Sequence, residues 1–298
     1  MNIMLNTGPV AERAINIHAK LNSRLRLFQR TLTGARPEPT LLGVEGARFI
    51  EDALRSGLQP ESLLVSPSGT SALDRVLHAV RSDGTNIAQI PIIRTSDSIF
   101  RKISATESPQ GVAGLFRVPA WDFDDLLRGP SRTVSLGVES TVNTPLILVL
   151  TEVQDPGNVG TIVRSAEAFG ASGVVATRGT ADPWAPKALR ASAGSALRLP
   201  LISGIAVPAL IAQLRLRKIK IFATASGSND FSSGLKCVSE SPAAIFIGNE
   251  GAGLSGEALK AADSILSIPL ARTVESLNAG VAASILLYEI SRIRSKAQ

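Results

Sequence analysis

The stretch AAIFIGNEGAGLS (243–255), with IPLARTVESLNAGVAASILLYEI (268–290) after it, decides the fold of this 298-residue chain. Residues 244–247 predict a buried strand that runs directly into a glycine-rich turn. Ser276 suits the N-cap of a following helix, because its hydroxyl can accept a free backbone N–H of the first turn. That helix, 279–290, carries small and aliphatic residues on nearly every side, which predicts burial all round. Glycine-rich strand ends of this kind can place backbone groups around a flat ligand, so the stretch predicts a site.

Residues 251–256 read GAGLSG, which matches the dinucleotide-binding pattern GxGxxG, and Glu275 lies at a suitable distance for a ribose contact. In a dinucleotide fold, however, these glycines follow the strand directly and open a long βαβ unit. Here Asn249 and Glu250 intervene, and only 42 residues follow Gly256. The sequence therefore argues against a nicotinamide-cofactor site.

Three motifs carry a resemblance to a known family. Residues 154–170, QDPGNVGTIVRSAEAFG, resemble the first motif of the SpoU (TrmH-type) RNA 2′-O-ribose methyltransferases of the SPOUT superfamily. IFIGNEGAGLS (245–255) resembles the second motif, and IPLARTVESLNAGVAASILLYE (268–289) resembles the third. The connecting stretch 182–200 is also similar to family sequence. The resemblance spans about half of the chain, 144–290, with the motifs in the family's order.

The residues themselves predict an α/β fold for the second half of the chain. LILVLTEV (146–153) is a continuous apolar run that suits a central parallel strand, and 173–177, 219–225 and 265–270 read as further strands with helices between most of them. The resemblance implies that this parallel-sheet SPOUT domain contains a deep trefoil knot. Periodicity cannot show a knot, and general topology rules argue against one.

The first half predicts a smaller α/β domain, because strands and helices alternate between residues 41 and 119. LLGVEGARFIEDAL (41–54) and SPQGVAGLFRVP (108–119) are similar to the ribosomal-protein-like substrate-binding domain that precedes the catalytic domain in the family. The predicted organisation is a basic N-terminal segment at 1–36 with a helix at 14–32, an RNA substrate-binding domain at 37–119, a linker with one short helix at 120–143, and the methyltransferase domain at 144–298.

Composition narrows the classes of protein. Cys237 is the only cysteine, so no internal disulfide can form, and His18 and His78 lie too far apart in sequence to suggest a metal site. No apolar run is long enough to cross a membrane, and the N-terminus lacks a signal-peptide pattern. These features predict a cytoplasmic protein without a metal or a membrane partner.

Charge favours a polyanionic partner, since the net charge is +6 and residues 13–36 contain six basic residues and no acid. A solvated basic helix is the alternative for that stretch. Glu45 and Arg48, in the part that resembles the substrate-binding domain, are either RNA contacts or an exposed pair at i and i+3. The predicted RNA-binding residues are Arg24, Arg26, Arg30, Glu45, Arg48 and Arg164.

By resemblance the cofactor is S-adenosylmethionine, the methyl donor for a ribose 2′-hydroxyl. Glycines at 248 and 251 are consistent with a close backbone approach to a ligand. The alternative is that these segments are only tight strand-to-helix turns. The positions assigned to the cofactor are Thr224, Ala225, Gly248, Asn249, Gly251, Ile268, Leu270, Ser276, Leu277 and Asn278.

The residues assigned to catalysis are Arg164, Asn158, Glu250, Ser276 and Asn278. The resemblance makes Arg164 the group that acts on the 2′-hydroxyl, but a guanidinium resists deprotonation. We therefore favour a positioning role, in which Arg164 fixes the ribose-phosphate while a phosphate or water takes the proton. A surface salt bridge to Glu167 at i+3 is the alternative. For Ser276, helix capping and a contact with substrate or donor are two equally supported interpretations.

The predicted function is methylation of a ribose 2′-hydroxyl by a homodimer that associates through its C-terminal domain, with ribosomal RNA favoured over transfer RNA. The alternatives are a transfer RNA 2′-O-methyltransferase, a non-catalytic RNA-binding protein with the same fold, and, less favoured, a base methyltransferase. Two departures from the family's third motif, Arg272-Thr273 and Ala279-Gly280, bear on helix packing and on the dimer.

Overall fold

A computed structural model of the chain describes residues 15–16, 22–84, 90–129, 144–225, 231–271 and 274–296. The chain divides into two compact units, residues 1–119 and 120–298.

The first unit is a five-stranded sheet with helices. Its strand order is β1-β4-β3-β5-β2, in which β5 runs antiparallel to β2 and β3 while β1, β3 and β4 pair in parallel. Its elements are β1 (Ile15–Asn16), α1 (Ser23–Leu32), β2 (Leu41–Glu45), α2 (Ala47–Arg55), β3 (Pro60–Val65), α3 (Thr70–Ser82), β4 (Ile92–Arg94), α4 (Asp97–Ile103) and β5 (Val112–Arg117).

Helix α1 is shorter than the predicted helix at 14–32. Asn22 is its N-cap, and the Asn22 side chain accepts a hydrogen bond from the backbone N–H of Arg24. Leu25, Phe28 and Leu32 are buried at helical spacing, so one face of α1 belongs to the core of the first unit. Upstream, β1 pairs with β4 in place of the predicted helical turns, and residues 17–21 lie outside the described part of the chain.

The second unit is a six-stranded sheet in which every strand pairing is parallel, with the order β11-β9-β10-β6-β7-β8. Its elements are α5 (Phe123–Arg128), β6 (Leu146–Leu150), α6 (Pro156–Ala168), β7 (Gly173–Thr177), α7 (Pro186–Ser192), β8 (Leu201–Ile205), α8 (Val207–Leu216), β9 (Lys220–Thr224), α9 (Phe231–Glu240), β10 (Ala243–Ile247), α10 (Gly256–Ala261), β11 (Ser264–Leu266) and α11 (Ala279–Lys296). The predicted α/β fold with a parallel C-terminal sheet is confirmed, and the knot stays a prediction.

Strands β6 and β10 lie in the middle of this sheet and are buried over their whole length. A parallel strand covered on both faces needs apolar residues at every position, which explains the runs LILVL and AAIFI. Because all six strands point the same way, their carboxyl ends meet at one edge. That edge is the usual place for a ligand in an α/β sheet.

Helix α5 lies in the segment predicted to be a linker. Leu126 is fully buried, and a Cβ at Gly173 would come within 3.0 Å of its side chain, so α5 packs closely against β7. The Arg217 guanidinium lies 4.6 Å from the centre of the Phe123 ring, which adds a cation–π contact to this docking. Residues 123–128 thus belong to the second unit's core, and 130–143 fall outside the described residues.

Helix α11 was predicted to be buried all round, and this prediction is wrong. Ala283, Leu286, Leu287 and Ile290 are buried, but Val281 and Tyr288 are about half exposed. Within the described residues, no helix has the length and apolarity needed to cross a bilayer.

One backbone position predicts a stabilising substitution. Lys218, just after α8, has a left-handed φ of 56°, and its side chain is exposed. A residue with a Cβ is strained in this conformation by about 1–2 kcal/mol. Glycine removes the strain, but part of the gain in stability is lost because glycine has more conformational freedom in the unfolded state. We expect Lys218→Gly to raise the free energy of unfolding by about 0.5–1 kcal/mol. Chemical denaturation measures this, and Lys218→Ala is the control that keeps the strain. A glycine variant no more stable than the alanine variant would contradict the argument.

Candidate active site

Three loops at the carboxyl edge of the second sheet are joined by side chains. One loop follows β6, one follows β10, and one precedes α11. Glu250, in the β10 loop, accepts hydrogen bonds from the backbone N–H groups of Gln154 and Asp155 at 3.2 and 3.4 Å, and from Asn158 Nδ2 at 2.9 Å. Glu250 therefore ties the β10 loop to the start of α6.

Asn158 also links the start of α6 to the start of α11. Its Oδ1 accepts a hydrogen bond from Asn278 Nδ2 at 2.9 Å, and Asn278 Oδ1 accepts from the backbone N–H groups of Gly280 and Val281 at 2.9 and 3.2 Å. A carboxylate can only accept, so Glu250 fixes which way the Asn158 amide points, and Asn158 in turn fixes Asn278. We name these residues the Glu250–Asn158–Asn278 chain.

The side chain that caps α11 is Asn278, so the predicted capping role of Ser276 is wrong. Asn278 is directly before the first helical residue, whereas Ser276 lies two residues further upstream. Ser276 is exposed and makes no hydrogen bond within the described part of the chain. Its assignment to substrate or cofactor stays a prediction.

The charge state of Glu250 follows from its partners. Burial alone would raise the pKa of Glu250, but the hydrogen bonds from the Asn158 side chain and from nearby backbone N–H groups outweigh burial. The pKa of Glu250 is therefore below its ordinary value, and the carboxylate is ionised at neutral pH.

The turn after β10 is held by Asn249. Its Oδ1 accepts from the backbone N–H groups of Gly251 and Ala252, both at 2.9 Å, while its Nδ2 donates to the Glu152 carbonyl at 2.8 Å. Its backbone also exchanges two hydrogen bonds with Gly253. The Asn249 side chain is thus engaged in holding two loops together, and its assignment to the cofactor stays a prediction.

The glycines of this turn differ in whether the structure would allow a side chain at their positions. A Cβ at Gly248 would come within 3.0 Å of the Gly253 backbone, so the turn itself excludes a side chain there. Gly253 has a left-handed φ of 70°. The nearest atom to a Cβ at Gly251 would be Asn249 Oδ1 at 3.6 Å, which is ordinary contact. The sequence predicts a close backbone approach to a ligand for both Gly248 and Gly251. Of these two, only Gly248 needs to be glycine on steric grounds.

The strand ends beside this turn offer a partly apolar surface with free backbone groups. The Thr224 hydroxyl donates to the Phe246 carbonyl at 2.8 Å, and the Ala225 N–H donates to the Leu266 carbonyl, which joins β9 to both of its neighbours. Ile268, Leu270 and Leu277 are half-buried, and their backbone groups make no hydrogen bond within the described residues.

Backbone N–H and C=O groups without a partner in the fold form hydrogen bonds to water or to a ligand. Apolar side chains beside free N–H and C=O groups suit a flat heterocycle, whose faces are apolar and whose edge forms hydrogen bonds. The residues therefore fit an adenosine group.

Arg164 is on α6, two turns beyond its start. It is exposed, and its side chain has no hydrogen bond or ion pair within the described residues. The alternative that it pairs with Glu167 is wrong, because both oxygens of Glu167 accept from the Arg198 guanidinium at 2.6 and 2.7 Å. Arg164 is thus free to contact a substrate.

Helix α6 gives Arg164 a rigid support. On one side Gly160 allows α7 to approach so closely that a Cβ would come within 3.0 Å of the Ala188 carbonyl. On the other side Ser165 and Ser284 hydroxyls lie 2.7 Å apart and join α6 to α11. Two packed neighbours fix the helix axis, so the position of Arg164 is set by the fold.

Asp155, which is the N-cap of α6, is not among the residues predicted from the sequence. Its Oδ1 accepts from the Gly157 N–H at 2.9 Å and from Lys187 Nζ at 2.6 Å. The Lys187 ammonium is the main cause that lowers the pKa of Asp155. Its signal was present in the sequence, since Asp followed by Pro is a typical helix start.

The predicted RNA-binding residues of the first unit differ in their surroundings. Arg24, Arg26, Arg30 and Arg48 are exposed and have no side-chain partner within the described residues. The Glu45 carboxylate instead accepts from the Ser104 and Thr106 hydroxyls and from the Ala105 N–H. Glu45 therefore anchors the segment after α4, which also excludes the alternative that it pairs with Arg48. The RNA contact of Glu45 stays a prediction.

Comparison with known protein families finds two matches in this chain. Residues 145–288 match the SpoU rRNA methylase family, and residues 30–114 match the MRM3-like substrate binding domain. The second match lies within the first unit and is consistent with the predicted substrate-binding domain.

Relatives with known names match most of this chain. The 23S rRNA (guanosine(2553)-2′-O)-methyltransferase RlmP of Bacillus subtilis is 30% identical over 249 residues, which cover 83% of this chain and 87% of that one. The human rRNA methyltransferase 3, mitochondrial, is 30% identical over 86% of this chain and 68% of its own. The SpoU methyltransferase AviRb from Streptomyces viridochromogenes, in complex with the cofactor AdoMet, has a TM-score of 0.75 and 27% identity over 92% of this chain and 98% of its own. The chain belongs to the SpoU rRNA methylase family.

Proposed function

We propose that this protein is an S-adenosylmethionine-dependent RNA methyltransferase that methylates a ribose 2′-hydroxyl, with ribosomal RNA as its substrate. The observation that carries the proposal is the Glu250–Asn158–Asn278 chain, which joins all three motifs, and the first of these motifs also contains the exposed Arg164. The names of the Bacillus subtilis and human relatives support ribosomal RNA, and the AdoMet complex of AviRb supports the cofactor. The proposal keeps the cytoplasmic location predicted from the sequence.

S-adenosylmethionine, when bound, supplies an electrophilic methyl group. Ile268, Leu270 and Leu277 would hold its adenosine through their apolar side chains and free backbone groups. Thr224 and Ala225, at the end of β9, lie at the same edge of the sheet. These residues orient the donor, and orientation alone can supply several orders of magnitude in rate.

The nucleotide is positioned by Arg164 and the two asparagines. The Arg164 guanidinium presents parallel N–H donors that suit a bidentate contact to a ribose-phosphate. It keeps its own protons, so the proton of the 2′-hydroxyl goes to a phosphate oxygen or to water. Asn158 Nδ2 and Asn278 Nδ2 each use one N–H inside the chain, which leaves one N–H of each for the substrate.

Methyl transfer to RNA tests the proposal directly. Purified protein is incubated with tritiated S-adenosylmethionine and ribosomal RNA that lacks the modification, and with transfer RNA in parallel. We expect incorporation into ribosomal RNA and an alkali-resistant linkage, which marks a 2′-O-methyl group. Incorporation into transfer RNA alone would favour the first alternative substrate. Tight RNA binding without transfer, to free RNA or to ribosomal subunits, would favour the non-catalytic alternative.

Glu250→Gln tests the positioning role of the chain. Three N–H donors converge on the carboxylate, whereas glutamine offers one oxygen and an NH₂ group that must face at least one of them. We expect methyl transfer to fall about 10- to 100-fold, with the affinity for S-adenosylmethionine nearly unchanged. Single-turnover kinetics and calorimetry measure the two effects. Glu257→Gln, an exposed acid at the start of α10, is the control. Equal losses in both variants would contradict the assigned role.

The same carboxylate predicts a dependence of stability on acid. Because the folded pKa of Glu250 is below its ordinary value of 4.5, its contribution is complete above that pH and is lost as the pH falls through the folded pKa. We expect the difference in melting temperature between the wild-type protein and Glu250→Gln to shrink below about pH 4.5. A difference that stays constant through this range would argue against an ionised, hydrogen-bonded Glu250.

The proposal includes a homodimer formed through α11. Val281 and Tyr288 are 48% and 50% exposed and lie seven residues apart, so they share one face of the helix. Half-buried Ile285 lies between them on the same side. Exposed apolar residues in a row on one helix are typical of a surface that is covered by another chain, and a second copy offers the same row.

Val281→Asp is expected to dissociate this dimer, because it places an unpaired charge within an apolar interface. Sedimentation velocity measures the assembly. Leu216→Asp is the matched control, since Leu216 is the most exposed large apolar side chain of the described residues, at 76%, and lies on α8. A monomeric wild-type protein, or a dimer that survives Val281→Asp, would overturn the proposed interface.

A further inference from the structure

The first unit has a groove between α2 and α3. Strands β2 and β3 both run antiparallel to β5, so they are parallel to each other, and the helix that follows each of them starts at the same end. The ion pair between Arg55 and Asp83, at the far ends of the two helices, agrees with this arrangement. The groove has a volume of about 540 Å³.

The floor of the groove is made of small residues. Ala47 on α2, with Ala72, Val76 and Ala79 on α3, line it at helical spacing. Alanine side chains leave room for a backbone to approach the helices. A protein partner normally anchors itself on large apolar side chains, and in the described residues all such exposed side chains lie in the second unit.

Two arginines line the groove without an acidic partner. Arg48 makes no hydrogen bond or ion pair within the described residues. Arg75 donates only its Nε, to the Ser71 carbonyl one turn back, so both terminal NH₂ groups are available within the described part of the chain.

The acidic residues of the groove are already engaged. Glu51 accepts from Arg55 Nε at 2.9 Å, and Asp52 also has a partner of its own. The first turns of α2 and α3 contain no acidic residue, and the Ala47 N–H at the start of α2 donates to Gln110 Oε1, which carries no charge. The uncommitted charge of the groove is therefore positive.

We propose that this groove holds the phosphate backbone of the RNA substrate, with Arg48 and Arg75 as its phosphate contacts. The inference rests on the proposed function, since it names the surface by which the same substrate is held. It assigns a role to Arg75, which no sequence motif indicated. Phosphate contacts position an RNA without reading its bases, so the groove contributes affinity and register, and base recognition takes place elsewhere.

Arg75→Ala is compared with Arg81→Ala to test the proposal. Arg81 is on the same helix, exposed, and roughly 120° around the axis from Arg75, so its removal changes the net charge equally but not the groove. The probe is unmodified ribosomal RNA, and the dissociation constant is measured by filter binding between 50 and 200 mM salt, with melting curves to verify the fold.

We expect Arg75→Ala to weaken binding about tenfold and to reduce the salt slope by about 0.7–0.9, as the loss of one phosphate contact should. Arg81→Ala should stay within about twofold of the wild type, and the double variant of Arg48 and Arg75 should lose about a hundredfold. The turnover number should not change in Arg81→Ala, which lies outside the groove.

Equal effects of Arg75→Ala and Arg81→Ala would overturn the groove as the contact surface, and so would wild-type affinity in both variants. Wild-type methyl transfer in those cases would leave the proposed function intact. The absence of methyl transfer by the wild type would instead count against the proposed function, while the ratio of the two dissociation constants would still decide the groove.

Discussion

Gly248→Ala is expected to weaken the binding of S-adenosylmethionine at least tenfold and to lower the free energy of unfolding by about 1–3 kcal/mol. The added Cβ would come within 3.0 Å of the Gly253 carbonyl group and the Leu254 nitrogen. All of these are backbone atoms, which cannot rotate away as the end of a side chain can. The turn after β10 must therefore open, and it carries Asn249 and Glu250 with it. Calorimetry with the cofactor and chemical denaturation measure the two effects.

Gly251→Ala is the matched control for that experiment. It adds the same methyl group three residues later in the same turn, where the nearest atom would be Asn249 Oδ1 at 3.6 Å. Its φ is not in the left-handed range, so the backbone accepts alanine. We expect cofactor affinity and stability close to those of the wild type. If the two variants behave alike, the close approach of Gly248 to Gly253 does not determine the shape of the cofactor site.

The strands of the second unit could be predicted because of where they lie in the sheet. β6, β7 and β10 are buried on both faces, so every residue except Thr177 is apolar and the pattern is continuous. β8 is at the edge, and Leu201 is the only buried residue of its sequence LISGI. An edge strand needs only one pairing partner and less burial, so its sequence signal is weaker.

Helix boundaries were less predictable, because capping is decided by single side chains. Both Ser276 and Asn278 are good N-cap residues, and the sequence alone could not choose between them. Asn278 caps α11 because Asn158 holds its amide in the right orientation, through a contact between residues 120 positions apart. Similarly, Arg164 and Glu167 are three residues apart on one helix, but Glu167 is bound by Arg198, 31 residues away.

The residues of the candidate site were therefore predicted through motif resemblance, and the structure shows which of them contact one another. Asn158 and Glu250 are 92 positions apart, and nothing in local periodicity brings them together. The strand order does so, because β10 pairs directly with β6 and the loops after the two strands become neighbours. A single sequence contains the strands but not their order in the sheet.

Arg164→Ala should lower the turnover number of methyl transfer about 10²- to 10³-fold, which is the usual cost of removing one group that is aimed at the reacting centre. The affinity for S-adenosylmethionine should not change, because within the described residues the Arg164 side chain makes no hydrogen bond to the residues assigned to the cofactor. Stability should change by less than about 0.5 kcal/mol, since the side chain is exposed and unpaired within the described residues. Single-turnover rates, calorimetry and thermal melting give the three values.

Arg164→Lys separates charge from geometry at the same position. Lysine keeps the positive charge but loses the planar fork that contacts two oxygens at once. If Arg164 orients the ribose-phosphate, the lysine variant should recover RNA affinity yet remain about tenfold or more below the wild type in rate. Lys260→Ala, which removes an exposed charge from α10, controls for general electrostatic effects. Full activity in Arg164→Ala would move the catalytic role to the asparagines of the Glu250–Asn158–Asn278 chain, since each of them keeps one N–H that is not used inside the chain.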